Sequence, residues 1–403
     1  MLSTQEALDA VLAAARPLDR HETVDTLAAN GRVLSADVVA TLDVPPMDTS
    51  AMDGYAVRVA DLSGNETVLP VSQRIPAGHT PQALAGGSAA RIFTGAPVPP
   101  GADAVVMQEQ CEARDDGTVV VRHTPVAGEF VNRQGADIRR DSVVLAAGTR
   151  LRAPALGLAA SVGIAKLQVA RRLRVAVFFT GDELTMPGEP LRAGSIYNSN
   201  RFVLRSLLEN LGCEMTDYGI VPDNLAATRA ILRDAARGND LIITSGGVSV
   251  GEEDHVKPAV QAEGRLNLWQ IALKPGKPLA YGEVNRANGE TAHFIGLPGN
   301  PVSSFVTFLL FVRPFILRLQ GVTHVTPRRI AMRADFTQKK ADRRNEFVRA
   351  RINDRGGLDA FPNQSSAVLT STVWGDGLID NPPGHRIEAG QTVAFLPFSD
   401  LLY

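Results

Sequence analysis

An α/β multidomain protein is the fold class this sequence predicts, and three features of the chain predict it. From Leu173 to about Leu319, buried-type apolar runs alternate with helical stretches, the pattern of a mostly parallel sheet covered by helices. Between Asp43 and about Arg139 short β-type runs alternate with Gly, Pro and Asn, the texture of an all-β module. After Gly321 the helical signal stops and short alternating strands return, which marks a small C-terminal β domain. At about 150 residues per domain, 403 residues leave room for two to four such units.

Taken in order, residues 3–15 open with Ser3-Thr4-Gln5-Glu6, a capping box, and continue into the stripe Leu8, Val11, Leu12, Ala15. This is a short amphipathic helix that Pro17 ends. A second helical stretch is expected near 24–30, closed by Asn30-Gly31. In the β module, Ala102 to Met107 and Thr118 to Arg122 read as strands. Residues 149–163 return to Ala/Leu/Gly-rich helical character like that of the N-terminus, so the β module reads as an insertion into a discontinuous helical domain. Val175 to Phe179 is an apolar strand followed by Thr180-Gly181-Asp182-Glu183. Asn200 to Leu211 is helical, with Gly212 as its stop. Cys213 to Ile220 is a strand, and Asp223 is expected to cap the helix 224–237, which Gly238 ends. Leu241 to Thr244 is a buried strand that runs directly into Ser245-Gly246-Gly247. Further strands fit 266–273, 278–283 and 292–296. The last helix starts at Asn300-Pro301, a cap with a first-turn proline, and reaches about Leu319. Arg329 to Phe336, Phe347 to Ile352 and Thr392 to Leu396 are the strands of the final unit.

Composition narrows the function. Forty-one Lys+Arg against 43 Asp+Glu give a net charge of -2, and no global electrostatic attraction to nucleic acid. No apolar run reaches the roughly 20 residues of a membrane span, since the candidate Phe305 to Phe311 is followed by Arg313 and Pro314. The first residues lack a basic stretch and a cleavage site, so no signal peptide is expected. Two cysteines, Cys111 and Cys213, form no CxxC pair, and the seven histidines show no HxxxH or HxH spacing. Disulfide frameworks, zinc knuckles and thioredoxin-type sites are therefore disfavoured. The expectation is a soluble cytoplasmic protein with neither nucleic-acid nor membrane partners.

Ligands of open α/β sheets bind beyond the carboxyl ends of the strands. Four loops there carry unusual chemistry. Thr180-Gly181-Asp182-Glu183 places carboxylates directly after a strand. The turn from Ser245, Gly246 and Gly247 through Ser249 to Gly251 offers backbone N–H groups and hydroxyls to a phosphate, and Glu252, Glu253 and Asp254 follow. Lys274-Pro275-Gly276-Lys277-Pro278 sets two cations on a stiff turn. Gly296-Leu297-Pro298-Gly299-Asn300-Pro301-Val302-Ser303 leads into a helix N-terminus, which favours an anion. Each loop alone is explained by packing, capping or solvation, and no Walker A ending is present. Together, at one edge of one sheet, they point to an anionic, phosphate-bearing ligand with carboxylates available for Mg²⁺.

PPMDTSAMDGYAV (45–57), TGAPVPPGADAVV (94–106), GADIRRD (135–141), TGDEL (180–184), IYNSNRFVL (196–204), SGGVSVGEEDHVK (245–257), KPGKPLAYG (274–282) and GLPGNPVSSF (296–305) occur in this order and span nearly the whole chain. The set resembles the molybdopterin molybdenumtransferase (MoeA) family, related to the C-terminal domain of gephyrin. The resemblance implies a discontinuous helical domain at 1–44 and 139–172, an inserted β module at 45–138, a MogA-like α/β domain at 173–323 and a C-terminal β-barrel at 324–403. It implies a homodimer whose site is shared between subunits. It also implies a reaction in which molybdate enters adenylated molybdopterin and AMP is released with Mg²⁺. Glu183, Asp223 and Asp254 are then expected to hold Mg²⁺. Ser245, Gly246, Gly247, Ser249 and Gly251 would cradle the pterin phosphates. Lys274, Lys277, Pro298, Asn300, Ser303, Arg349 and Ser366 would bind substrate, with molybdate on the cations and hydroxyls. Asp53, Thr94 and Asp137 match family positions tied to activity on the partner-subunit side. Molybdopterin adenylyltransferase and cofactor-acceptor enzymes are the implied partners. Gln270 stands where some members carry a lysine, and Asn363-Gln364-Ser365-Ser366 follows the family pattern only approximately. An adenylyltransferase or a non-catalytic scaffold are the competing readings. The MDGYA module and the C-terminal unit speak against the first, the retained acids and lysines against the second.

Overall fold

The structure, a computed structural model, describes residues 1–64, 66–248, 255–276 and 278–402, the side chains of Leu268 and Pro278 apart. The first helix, Thr4–Ala14, begins as its capping box dictates: the Ser3 hydroxyl accepts the Glu6 N–H at 3.2 Å and the Glu6 carboxylate accepts the Ser3 N–H at 2.8 Å. Ala7 and Val11 on its inner face enter the largest core of the chain.

The helix expected near 24–30 does not form. His21–Asp25 is a strand, followed by a single 3₁₀ turn, Thr26–Ala28. The reason lies in its partner: His21–Asp25 pairs antiparallel with Lys166–Ala170, and its side chains alternate between exposed and half-buried with period two. The Thr26 hydroxyl donates to the Ile164 carbonyl at 2.8 Å and fixes the turn. Val38–Val39 likewise pairs with Val143–Leu145, and Ala29, Leu34, Leu151, Ala159, Leu167 and Val169 share one small core. The chain thus leaves this unit after about residue 44 and returns to it near 138, where Val44 and Ile138 bridge. The returning segment carries the helix Ala153–Ser161.

Between those crossings lies a six-stranded sheet in the order Ala104–Met107, Gly54–Val57, Ala89–Ile92, Thr67–Ile75, Thr118–Val121, Cys111–Ala113. Alternation sends Tyr55 and Val57 to a core with Leu69, Val106 and Val119, and sends Ala56 to one with Ile75, Ile92 and Val105. Gly54 is required where the first two strands touch: a Cβ there would sit 1.9 Å from the Val106 carbonyl oxygen. That contact fixes the start of the strand beside Asp53.

The α/β sheet runs Glu214–Val221, Arg174–Thr180, Leu241–Ser245, Thr291–Leu297, Pro278–Asn285, Gly264–Gln270. The first four strands are parallel and the last two antiparallel. The mostly parallel arrangement expected therefore gives way on one side. Residues 271–277 and 286–290 are too few for a crossover, so consecutive strands there can only reverse. Val175, Val177, Phe179, Ile243 and Ile295 face Leu208, Phe311 and Phe315 on one side. Ala176, Phe178, Ile242 and Phe294 face Leu232, Ala236 and Val256 on the other. Register brings Thr180 opposite Val221, Phe179 opposite Ser245, and Ser245 opposite Leu297. The loops after all four parallel strands consequently leave from one edge.

Pro301–Leu319 forms one continuous helical stretch with a π turn at Phe308–Val312. Among the described residues it alone is long and apolar enough to cross a membrane, and nearly all of it is buried inside the protein. Its Arg313 is buried too, donating to the Val325 and Asp400 carbonyls. The C-terminal strands close on themselves. Asn345–Ile352, Gly377–Asn381, Thr392–Pro397 and Ile330–Arg333 pair in succession, Leu358–Ala360 pairs with the first, and Leu358 bridges Ala334 next to the last. A closed ring of strands around Val348, Ala350, Ile379 and Phe395 is a barrel. Leu273–Lys274 adds a short parallel strand to it from the α/β unit.

Candidate functional site

The four loops at the sheet edge, together with the barrel, enclose a cavity of about 1090 Å³. Thr180, Gly181 and Glu183 line it from the first loop, Asp223 from the second, Ser245 to Val248 from the third, and Pro298 to Pro301 with Ser303 from the fourth. Lys274 to Gly276 come from the turn that joins the barrel strand, and Arg344 with Gln364 to Ala367 come from the barrel itself. Of the residues singled out from the sequence, Glu183, Asp223, Ser245, Gly246, Gly247, Lys274, Pro298, Asn300, Ser303 and Ser366 meet here. Ser249, Gly251, Asp254 and Lys277 lie outside the described residues.

Close packing, more than charge, explains the glycines. Gly246 and Gly247 have φ of 100° and 67°, in the region glycine tolerates. A Cβ on Gly247 would sit 2.5 Å from Val256 Cγ2 and 2.9 Å from Thr180 Cγ2, and one on Gly246 would sit 2.8 Å from the Thr180 carbonyl oxygen. The turn thus folds back against the neighbouring strand end. Ser245 is buried, and its hydroxyl is fully engaged: it donates to the Pro298 carbonyl at 3.0 Å and accepts from Asn200 Nδ2 at 2.8 Å. Asn200 also donates to the Gly299 carbonyl at 2.8 Å. Ser245 therefore ties two loops together instead of presenting its hydroxyl to a ligand. Asn200 is a member of the site that sequence reasoning passed over, although its helix, Ser199–Asn210, starts within the quoted Asn-Ser-Asn motif.

Asp223 does not cap the following helix. Leu225–Gly238 is capped by Asn224, whose side chain accepts the Ala227 N–H at 2.9 Å. The Asp223 carboxylate is left at the cavity wall with a buried Oδ1 that has no hydrogen-bond partner among the described residues. A buried carboxylate oxygen without a partner costs about 1–3 kcal/mol, so it marks a place for a cation or a donor from a ligand. Glu183, on the adjacent loop, is exposed and folds over Gly181, where a Cβ would come within 2.5 Å of Glu183 Oε2. Among the described residues no three acids, histidines or cysteines cluster as a closed metal cage. Mg²⁺ does not need one: it is commonly held by one or two carboxylates, with substrate phosphates and waters as the other ligands. Asp223 and Glu183 fit that pattern.

Lys274 is paired. Its ammonium lies 2.7 Å from Glu346 Oε1 and 3.4 Å from Asp342 Oδ2, both on the barrel. Arg344, not anticipated from the sequence, lines the same wall and pairs with Asp342 through Nε and Nη2 at 2.9 Å each. That pairing holds the Asp342 carboxyl well below the usual carboxylate range.

Arg349 is placed differently from the expectation that it contacts substrate. It is 1% exposed and does not line the cavity. Its guanidinium donates to the Phe347 and Ser365 carbonyls and to the Ser371 hydroxyl, and burial pushes its pKa down to about 10, so it stays charged at neutral pH. Gln364 pins the same loop, accepting the Arg349 N–H at 3.0 Å and donating to the Arg349 carbonyl at 3.0 Å. Arg349 thus fixes the shape of the segment 364–366, whose Ser366 carbonyl accepts the Val302 N–H at 3.0 Å at the helix start.

Asp53, Thr94 and Asp137 lie in or beside the inserted module, and none of them lines this cavity. Asp53 Oδ1 accepts both the Thr94 N–H and the Thr94 hydroxyl at 2.7 Å. Those donors, with Arg91 nearby, hold its carboxyl below the ordinary value. The Arg91 guanidinium donates to the Gly54 carbonyl at 2.9 Å and so braces the same turn. Asp137 is exposed, and its N–H donates to the Val44 carbonyl at 3.0 Å.

Comparison with known proteins agrees along the chain. Residues 2–163 match the MoeA N-terminal region (domain I and II), 176–318 a probable molybdopterin binding domain, and 331–398 the MoeA C-terminal region (domain IV). A molybdopterin molybdenumtransferase of Haemophilus influenzae is 40% identical over 94% of this chain and 95% of its own. Molybdopterin molybdenumtransferase 2 of Mycobacterium tuberculosis is 38% identical over 94% of each chain. The crystal structure of a molybdopterin biosynthesis MoeA protein from Pyrococcus horikoshii OT3 superposes with a TM-score of 0.84 at 26% identity, covering 98% of this chain and 100% of that one.

Proposed function

We infer the reaction of this chain from the family to which it belongs, the molybdopterin molybdenumtransferase (MoeA) family. It is a transferase of molybdenum cofactor biosynthesis that inserts molybdenum into molybdopterin. In the fuller reading, the substrates are adenylated molybdopterin and molybdate, and AMP leaves as the metal enters. The single observation that carries this reading is the unpartnered Asp223 Oδ1 in a cavity that also holds Lys274 and Arg344. A pyrophosphate with its cation needs an acidic edge, and a tetrahedral oxyanion needs cationic and hydroxyl donors. Both kinds of group line this one cavity.

In this reading Asp223 and Glu183 hold Mg²⁺, with Asp254 as the third expected acid. When bound, Mg²⁺ neutralises the pyrophosphate and stabilises the AMP that departs. The turn at 245–251 seats the phosphates through its backbone, since Ser245 is already bound to Pro298 and Asn200. Lys274, Lys277, Ser303, Ser366 and the Pro298–Asn300 turn receive molybdate. Asp53, Thr94 and Asp137 complete the site from a second copy, which is why one chain presents them away from the cavity. A homodimer is part of the proposal. So are a cytoplasmic location, the domain division at 44/45, 138/139, 172/173 and 323/324, and exchange with an adenylyltransferase and with cofactor-acceptor enzymes.

Purified protein given adenylated molybdopterin and Mg²⁺ is expected to release AMP only when molybdate is added, and the product is expected to reconstitute an apo molybdoenzyme. Tight binding of the adenylated pterin without release would instead assign a carrier role.

A further inference from the structure

We propose that Glu346, together with Asp342, is a positioning residue that sets the charge selectivity of Lys274, so that only a dianion draws the lysine into the cavity. The proposal rests on the oxyanion reading of that cavity. Lys274 and Arg344 are the two basic side chains among its described lining residues, and neither is electrostatically free. Glu346 is 4% exposed at its side chain and lies 2.7 Å from the lysine ammonium, while Asp342 lies 3.4 Å from it and chelates Arg344. Among the described residues the two cations are matched by two carboxylates.

Backbone pairing makes the arrangement permanent. Leu273–Lys274 runs parallel to the barrel strand with Lys274 in register with Glu346. Gln338 Nε2 donates to Glu346 Oε2 at 2.5 Å, so the carboxylate cannot swing away to follow a departing lysine. Lys274, at 35% exposure, is still reached by solvent and also borders a second cavity of about 490 Å³ lined by Gln338, Asp342 and Glu346. An incoming anion must therefore outcompete two fixed carboxylates for one ammonium. A singly charged anion offers less attraction than the carboxylates already there, whereas a tetrahedral dianion offers twice the charge and several acceptor oxygens. Charge compensation behind the lysine thus excludes nitrate or chloride without any steric gate.

The test uses the full-length protein and measures binding of molybdate alone by equilibrium dialysis, with nitrate and sulfate as competitors. In the wild type, sulfate is expected to compete and nitrate to fail. Glu346→Gln keeps the shape and removes the charge. It is expected to tighten molybdate binding about 3- to 10-fold, to let nitrate compete, and to lower kcat because the lysine is no longer held. Glu346→Asp is expected to restore exclusion of nitrate, which a merely structural role would not require. If Glu346→Gln does not fold, Asp342→Asn measured in the same way decides, with the same changes expected at smaller size. Unchanged affinity and unchanged exclusion of nitrate in the folded variant would overturn the proposal. Lys274→Ala separates the two levels. If it binds molybdate as the wild type does, the oxyanion reading fails and this inference with it. If it loses binding while Glu346→Gln behaves as wild type, only the role of Glu346 falls.

Discussion

Asp53 and Asp223 are the same residue type with opposite environments. Asp53 sits at the lip of the inserted β module and is satisfied twice by Thr94, which holds its carboxyl below the ordinary value. Asp223 sits just beyond the end of the parallel edge strand Glu214–Val221, with one oxygen sealed off and unpartnered among the described residues. The first is a finished local structure that orders a turn; the second is an unfinished one, which in the proposed reading a ligand or cation completes. A carboxylate whose bonds are all internal positions its surroundings, and one left short of partners binds.

The sharpest way to break this contrast is Asp223→Ala. Turnover is expected to fall by about 100-fold or more, while thermal unfolding shows stability unchanged or raised by about 1 kcal/mol, because an unsatisfied oxygen disappears. A large loss of stability would show that the carboxylate is structural after all. Mg²⁺ should raise the unfolding temperature of the wild type and not that of this variant. Next in size, Asp53→Ala is expected to cut turnover about tenfold or more and to leave molybdate binding unchanged, since in the proposed dimer the anion is received by Lys274, Ser303 and Ser366 of the other copy. Parallel dialysis and kinetics would check both halves of that statement.

The cradle itself is probed by Gly247→Ala. Its Cβ would meet Val256 and Thr180 at a positive φ, so urea unfolding should show a loss of about 1–3 kcal/mol. The smallest effect expected is that of Thr94→Ala, which removes the hydroxyl donor and leaves the backbone donor in place. The Asp53 carboxyl should then titrate at higher pH, nearer its ordinary value, as read by carboxyl carbon NMR. The sign follows from linkage. A depressed carboxyl contributes stability that is present above its unfolded value and lost as pH falls through the folded one. In the variant that contribution is therefore smaller, and its loss is complete at a higher pH.

Much of this architecture was legible in the chain because periodicity and punctuation agreed. The capping box at Ser3 and Glu6, the Gly212 stop and the apolar run Val175 to Phe179 all became the elements they predicted. The helix expected near 24–30 does not form because the strand His21–Asp25 and the turn after it depend on a partner some 140 residues away. The loops of the site were legible as motifs, but the roles of individual atoms were not. Asn224, one residue on, took the cap expected of Asp223, and Arg349 turned inward to hold the segment 364–366. Arg344 and Glu346 carry no local signal at all, because what matters in them is a register between two domains that only the folded chain creates.

The central claim is that the two carboxylates act in one site built from two copies of the chain, and mixing variants tests it most directly. Asp53→Ala and Asp223→Ala proteins, each nearly inactive, would be mixed in equal amounts under conditions that exchange subunits, and molybdate-dependent AMP release measured. A heterodimer then has one site with both acids intact and one with neither, so activity should return to about a quarter of the wild-type value. Mixtures that exchange subunits fully and stay as inactive as their components would contradict the account.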